Sequence, residues 1–140
     1  MREVSSAIII LALMFICQAS GAQELQKQRV IILTDVENEP DDTQSLVRLL
    51  LYSNLLDIKG IIATTSVHMK KEVHPESVSK VIHAYARVYP NLTKHEAGFP
   101  SPDALLQLVR QGLPEYGMAA VGDGKDSEGS DLIIRILEED

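Results

Sequence analysis

The hydrophobic period of this chain changes twice within residues 29–66, and that change restricts the folds open to it. "RVIILTD" (29–35) is a short continuous apolar run rich in β-branched residues, the pattern of a strand buried on both faces of a parallel sheet. "PDDTQSLVRLLLYSN" (40–54) switches to helical spacing, with Leu46, Leu49, Leu50 and Tyr52 or Ser53 on the buried face. Pro40 suits the first helical turn, where its missing N–H is no loss. Asp41 and Asp42 suit it too, because the helix dipole favours anions there. "DIKGIIATTS" (57–66) reads as a second strand with Gly60 near its entry. Such strand–helix–strand units take right-handed crossovers and build parallel sheets.

Beyond residue 66 the spacing predicts a helix over 74–91, opened by Pro75 and burying Val78, Val81, Ile82 and Tyr85. A second helix is expected over 101–112, between Pro102 and Gly112. "GMAAVGDGKDSEGSD" (117–131) reads as a short strand running into a glycine-rich loop, and 130–140 as a helix capped by Ser130. These strands are too few to cover so many amphipathic helices. The expected fold is therefore α/β, the N-terminal part of a doubly wound, mostly parallel sheet, with the chain a truncated front portion of a larger domain.

Residues 1–22 are set apart from this domain. Arg2 precedes an apolar core from Ala7 to Cys17, followed by Ser20 and Ala22 at the −3 and −1 positions of a cleavage site, the three-part pattern of a secretory signal peptide. The core is shorter than the roughly 20 apolar residues that span a bilayer. Export to a periplasm or the exterior is expected, with membrane contact confined to the signal during export and 23–140 as the folded portion. Cys17, the single cysteine, lies in the signal, so a hydrophobic core and not disulfides must hold the domain. The formal net charge of −7 and the lack of a basic stripe argue against nucleic-acid binding.

"TDVENEPDD" (34–42) places five carboxylates, Asp35, Glu37, Glu39, Asp41 and Asp42, on one turn at the end of the first strand. In open α/β sheets ligands bind at that end. Helix-dipole complementarity accounts for Asp41 and Asp42 but not for Asp35 or the crowding. Hard oxygen donors without cysteine or a spaced histidine pair suit Ca²⁺ or Mg²⁺ better than zinc. An EF-hand loop starting at Asp35 is excluded, because its sixth and twelfth positions hold Pro40 and Leu46. An aspartyl-phosphate phosphatase is excluded by Glu37, where that chemistry wants a second aspartate.

The turn resembles the opening of the nucleoside hydrolases, whose first strand ends in Asp-x-Asp-Pro-Gly-x-Asp-Asp. More closely, "LTDVENEPDDTQSLVRLLLYSN", "DIKGIIATTS" and "GDGKDSEGSDLII" look like the nucleoside hydrolase-like domain of the group named after a cellulose-binding protein, the Sde182 type. The similarity runs over nearly all of residues 29–140. The resemblance implies a Ca²⁺ ion held by an early aspartate and by the second aspartate of the pair, Asp42. It implies that the early aspartate accepts a proton from the attacking water, and that Asp41 touches the sugar. Matching "TD" to "TD" makes Asp35 the early aspartate; a gapless alignment makes it Glu37. Asp35 is preferred, as a short carboxylate fixed at a strand end. The Pro-Gly of the hydrolase motif is replaced by Asn38-Glu39-Pro40, and the asparagine that follows the second hydrolase strand is absent.

Asn38, Thr65, Ser66 and His68 are the further candidate substrate contacts, whereas His74, His83 and His95 read as surface or helix residues. Asp126, Ser127 and Glu128 either line the site or cap the last helix. Asn91-Leu92-Thr93 fits the glycosylation pattern. The expected function is an exported, Ca²⁺-dependent hydrolase of glycosidic bonds, of N-ribosyl type, acting on a small sugar or nucleoside. The rival readings are a non-catalytic protein that binds cellulose or another polysaccharide on the same scaffold, and an inactive gene fragment. The aromatic share of 4% and the absence of tryptophan favour the enzyme, since polysaccharide surfaces usually stack sugars on rings.

Overall fold

A computed structural model describes residues 26–139; residues 1–22, read from the sequence as a signal peptide, lie outside the described residues. Three strands, β1 (Gln28–Thr34), β2 (Leu56–Ala63) and β3 (Val109–Gln111), form one sheet in the order β1-β2-β3. Both pairings are parallel. The helices are α1 (Pro40–Leu51), α2 (Pro75–His95), α3 (Pro102–Leu106) and α4 (Glu128–Glu138), with single 3₁₀ turns at Ser53–Leu55 and Met118–Ala120. None of the described helices is long and apolar enough to cross a membrane.

The sheet is covered on both faces. Leu46 and Leu50 of α1, Val78, Val81, Ile82 and Tyr85 of α2, and Leu105 of α3 pack with Ile58, Ile61 and Ala63 of β2. Ser53, also buried, donates its hydroxyl to the Leu50 carbonyl at 2.8 Å, while Tyr52 stays exposed. On the other face Leu132 and Ile136 of α4 are buried. Ile58 and Ile61 share a face although three positions apart, because the β1–β2 register shifts between Val30 and Ile31 and leaves Lys59 as an extra residue. Such a bulge reverses the alternation of faces beyond it. Gly60 then lies under α4, where an added Cβ would sit 2.8 Å from the Leu132 Cδ2.

Several expectations need correction. None of the seven residues of β1 is fully buried, because β2 lies along one of its edges and only part of its faces is covered. The helix expected over 101–112 ends at Leu106, and Val109–Gln111 is instead the third strand. The Ile61 amide donates to the Leu108 carbonyl at 3.0 Å and the Gly112 amide to the Ala63 carbonyl at 2.8 Å, which pins the segment to β2. The apolar run through Leu108 mimics helical spacing, and a three-residue strand has no period to read. Residues 117–131 hold no strand: Met118 and Val121 are exposed around a 3₁₀ turn. Helix α2 runs through Pro90 to His95, and Asn91 lies within it. Ser127, not Ser130, is the cap of α4. Its Oγ accepts the Ser130 amide at 3.2 Å, and its own amide donates to the Ser130 Oγ at 2.8 Å, a reciprocal capping box.

A Cβ on Gly112 would lie 2.7 Å from the Ala63 backbone oxygen, an atom that cannot swing aside. Gly112→Ala is therefore expected to destabilise the domain by ~1–3 kcal/mol through overpacking. A lowered denaturant midpoint at unchanged slope is the signature to measure.

Candidate functional site

At the carboxyl end of β1 the chain turns tightly: the Asn38 amide donates to the Asp35 carbonyl at 3.0 Å. Val36 is buried in the core, and Glu37 adopts a positive φ of 80°. Helix α1 follows with Pro40 in its first turn and Asp42 at its third position, where the Asp42 Oδ2 accepts the Glu39 amide at 3.2 Å. This bond satisfies a donor at the helix start and commits one carboxylate oxygen of Asp42, not both.

The turn brings Asp35 and Asp42 onto one cavity of about 250 Å³, lined by Ile32, Leu33 and Thr34 from β1 and by Ser45, Leu46 and Leu49 from α1. A second cavity of about 230 Å³ lies across the shared Leu33 and is lined by Thr64, Thr65, Gly112, Ser127 and Ser130 among others. Thr65 donates its hydroxyl to the Glu115 carbonyl at 3.3 Å. Ser66 Oγ instead accepts the amides of His68 and Met69 at 3.2 and 3.1 Å, forming a local turn. Asn38, Asp41, Ser66 and His68 line neither cavity; Asp41 and His68 are exposed and Asn38 is half-buried. Asp126, Ser127 and Glu128 border a further hollow with Gln111, Gly112, Leu113 and Pro114, so Ser127 both caps α4 and faces a cavity.

Two carboxylates and the Ser45 hydroxyl are hard oxygen donors, the chemistry that Ca²⁺ selects. They supply a fraction of the six to eight oxygens such an ion takes. Among the described residues no cluster of three or more His, Cys, Asp or Glu is placed to hold a metal. The donor type thus fits a divalent cation whose remaining ligands would be water, substrate hydroxyls or other backbone oxygens.

A second charged group went unread in the sequence. The Ser77 hydroxyl on α2 donates to Glu37 Oε1. Lys80 Nζ is 3.7 Å from the same oxygen, and His74 Nδ1 is 3.9 Å from Glu37 Oε2. The Ser77 bond holds the Glu37 carboxyl below its usual range, assisted by His74 and Lys80. His74 is shifted upward by its 3.0 Å bond to Glu76, with Glu37 and Glu72 adding to the effect. Glu76 is shifted downward by the same bond. Glu37 and Ser77 lie 40 positions apart, so no local signal announces the pair.

A parallel sheet clad in helices on both faces, with two carboxylates on a cavity at the exit of its first strand, defines an α/β protein of the class that binds ligands at strand ends. The chain belongs to the family described as "Cellulose-binding Sde182, nucleoside hydrolase-like domain", whose model matches residues 29–140. A solved structure of a nucleoside hydrolase-related hypothetical protein from Saccharophagus degradans, described as associated with carbohydrate metabolism, is 46% identical with a TM-score of 0.78. The match covers 81% of this chain and 28% of that one, so the chain spans little more than a quarter of that protein's length. Among curated proteins none matches the chain.

The charged cluster carries a pH signature. A raised histidine pKa stabilises the fold fully below its unfolded value near 6.5 and ceases to do so as pH rises through the folded value. The depressed Glu37 and Glu76 stabilise above 4.5, and that contribution is lost as pH falls through their folded values. The network is thus strongest between those two ordinary pKa values. His74→Gln is expected to lower the unfolding free energy most at about pH 5.5. Its deficit relative to wild type should shrink as pH rises past neutrality, read from urea unfolding at a series of pH values.

Proposed function

We propose that this chain carries the strand-end carboxylates of a Ca²⁺-dependent glycosidic-bond hydrolase of N-ribosyl type. The observation that supports this is the meeting of Asp35 and Asp42 on one cavity at the carboxyl end of β1, where open α/β sheets bind ligands. Membership of a nucleoside hydrolase-like family gives the reading its reaction class. Ca²⁺, when bound, would lower the pKa of a water and fix vicinal sugar hydroxyls.

The residues of the chain then divide the work. Asp35, held by a short arm at the strand end, would be a ligand of the ion and is the general base that takes a proton from the attacking water. The water oxygen bonds to the anomeric carbon as the glycosidic bond breaks, and the leaving group departs with the bonding electrons. Asp42 would hold the ion, its capping bond to the Glu39 amide engaging one of its two carboxylate oxygens. The family resemblance assigns Asp41 a contact to a sugar hydroxyl; Thr65 lines the neighbouring cavity as a candidate contact, while Asn38, Ser66 and His68 would reach the substrate from outside both cavities. Export through the N-terminal signal would place this chemistry in a periplasm or outside the cell.

A binding role without catalysis is the second reading. It is favoured by the family's description as cellulose-binding and by the exposed rings of Tyr52 and Tyr116. It predicts saturable retention on insoluble cellulose and no release of base or sugar from any glycoside.

On the hydrolase reading, Asp35→Asn lowers the rate of base or sugar release by about 10²–10⁴-fold and leaves the unfolding midpoint unchanged. Asp42→Asn, which removes a ligand and leaves the base in place, should weaken Ca²⁺ binding, measured by calorimetry. Wild-type turnover in Asp35→Asn would remove that residue from the mechanism, and retention on cellulose without turnover would favour the binding role.

A further inference from the structure

The turn that presents Asp35 is held at two points. Val36 is 1% exposed in the core, and the next residue, Glu37, is the one non-glycine residue with a positive φ among the described residues. A glutamate in that region is strained, and such strain persists only where the surroundings over-determine it. An exposed acid in a solvated turn has no reason to accept it. The groups that enforce it all come from the start of α2. Ser77, 5% exposed, donates its hydroxyl to one carboxylate oxygen. Lys80 lies 3.7 Å from that oxygen and 3.4 Å from the Ser77 Oγ, and His74 lies 3.9 Å from the other oxygen. The N-terminal end of a 21-residue helix adds its dipole to the same carboxylate. Capping of α2 alone does not explain this arrangement, since a residue adjoining the helix could serve that purpose without left-handed backbone.

We propose that Glu37 is a positioning residue: its carboxylate, gripped by Ser77, His74 and Lys80, locks the backbone of residues 35–38 so that Asp35 stays on the cavity it shares with Asp42. This rests on the reading of Asp35 and Asp42 given under the proposed function. It assigns a role to the one acid of the turn that competes with Asp35 for the place of the base: Glu37 holds the turn and does not act on substrate.

The test compares the full chain as wild type, Glu37→Ala, Ser77→Ala and Ser77→Thr. Amide hydrogen exchange of residues 36–42 reads the lock, and calorimetric titration with Ca²⁺ alone reads its consequence. Glu37→Ala and Ser77→Ala are expected to speed exchange in the turn about tenfold or more while exchange in β2 stays at the wild-type rate. The same two variants should weaken Ca²⁺ binding by about 10–100-fold, and Ser77→Thr, which keeps the hydroxyl, should restore both. Unchanged exchange in the turn overturns the proposal, and so does a loosened turn that binds Ca²⁺ as the wild type does. If the wild type binds no Ca²⁺, the hydrolase reading of Asp35 and Asp42 falls, while exchange in the turn still decides whether Glu37 is a lock. If Ser77→Ala fails to fold, the exposed Glu37→Ala carries the comparison.

Discussion

Strand β2 is covered on both faces and paired on both edges over Ile61–Ala63, and the other elements take their places around it. β1 and β3 pair with it, α1 and α2 cover one face, and α4 covers the other. Burying Ile58, Ile61, Ile62 and Ala63 removes most of their apolar surface from water, worth roughly 1.5–3 kcal/mol for each large side chain. The enclosure depends on close approach. An added Cβ at Gly129 would sit 2.6 Å from the Ile62 Cγ2, so the first turn of α4 touches the sheet only because that residue is glycine. Gly60 makes the reciprocal concession from the strand side.

Much of this was legible where a period could be read. Val78, Val81, Ile82 and Tyr85 are all buried as their spacing in α2 predicts, and Leu46 and Leu50 are buried in α1. The parallel α/β class followed from strand and helix patterns in succession. The failures share a physical cause, namely contacts made at long sequence separation. β3 is a strand because Leu108 and Gly112 bond to β2, and nothing within three residues distinguishes it from the last turn of a helix. The bulge at Lys59 is likewise a property of the pairing and not of the strand's own composition.

The crowded carboxylates of 35–42 disperse once folded. Asp35 and Asp42 share a cavity, Asp41 and Glu39 stand in solvent, and Glu37 turns to a serine, a lysine and a histidine on α2. The mutual repulsion that such crowding would bring is thereby relieved by direction as much as by counter-charge. What could not be read was which acid goes where. A left-handed glutamate carries no signature in a sequence, whereas a glycine would have announced the turn. Thr65 and Ser66, adjacent in the chain, likewise part company: one lines a cavity, the other closes a turn.

An all-parallel sheet has no hairpin from which to start. α1 separates β1 from β2, and α2 and α3 separate β2 from β3, so each pairing must close a long loop before any contact rewards it. During synthesis β2 emerges after β1 and α1 but before α2, β3 and α4, which complete the cover of its faces and its other edge. Its row of isoleucines therefore waits partly uncovered, an interval in which sticking to another chain competes with folding. Asp57 and Lys59, 2.8 Å apart at the strand's entry, are its two charges, and they flank Ile58 as gatekeepers against that association. Once β1 pairs, the bulge accommodates Lys59 as the extra residue of the strand.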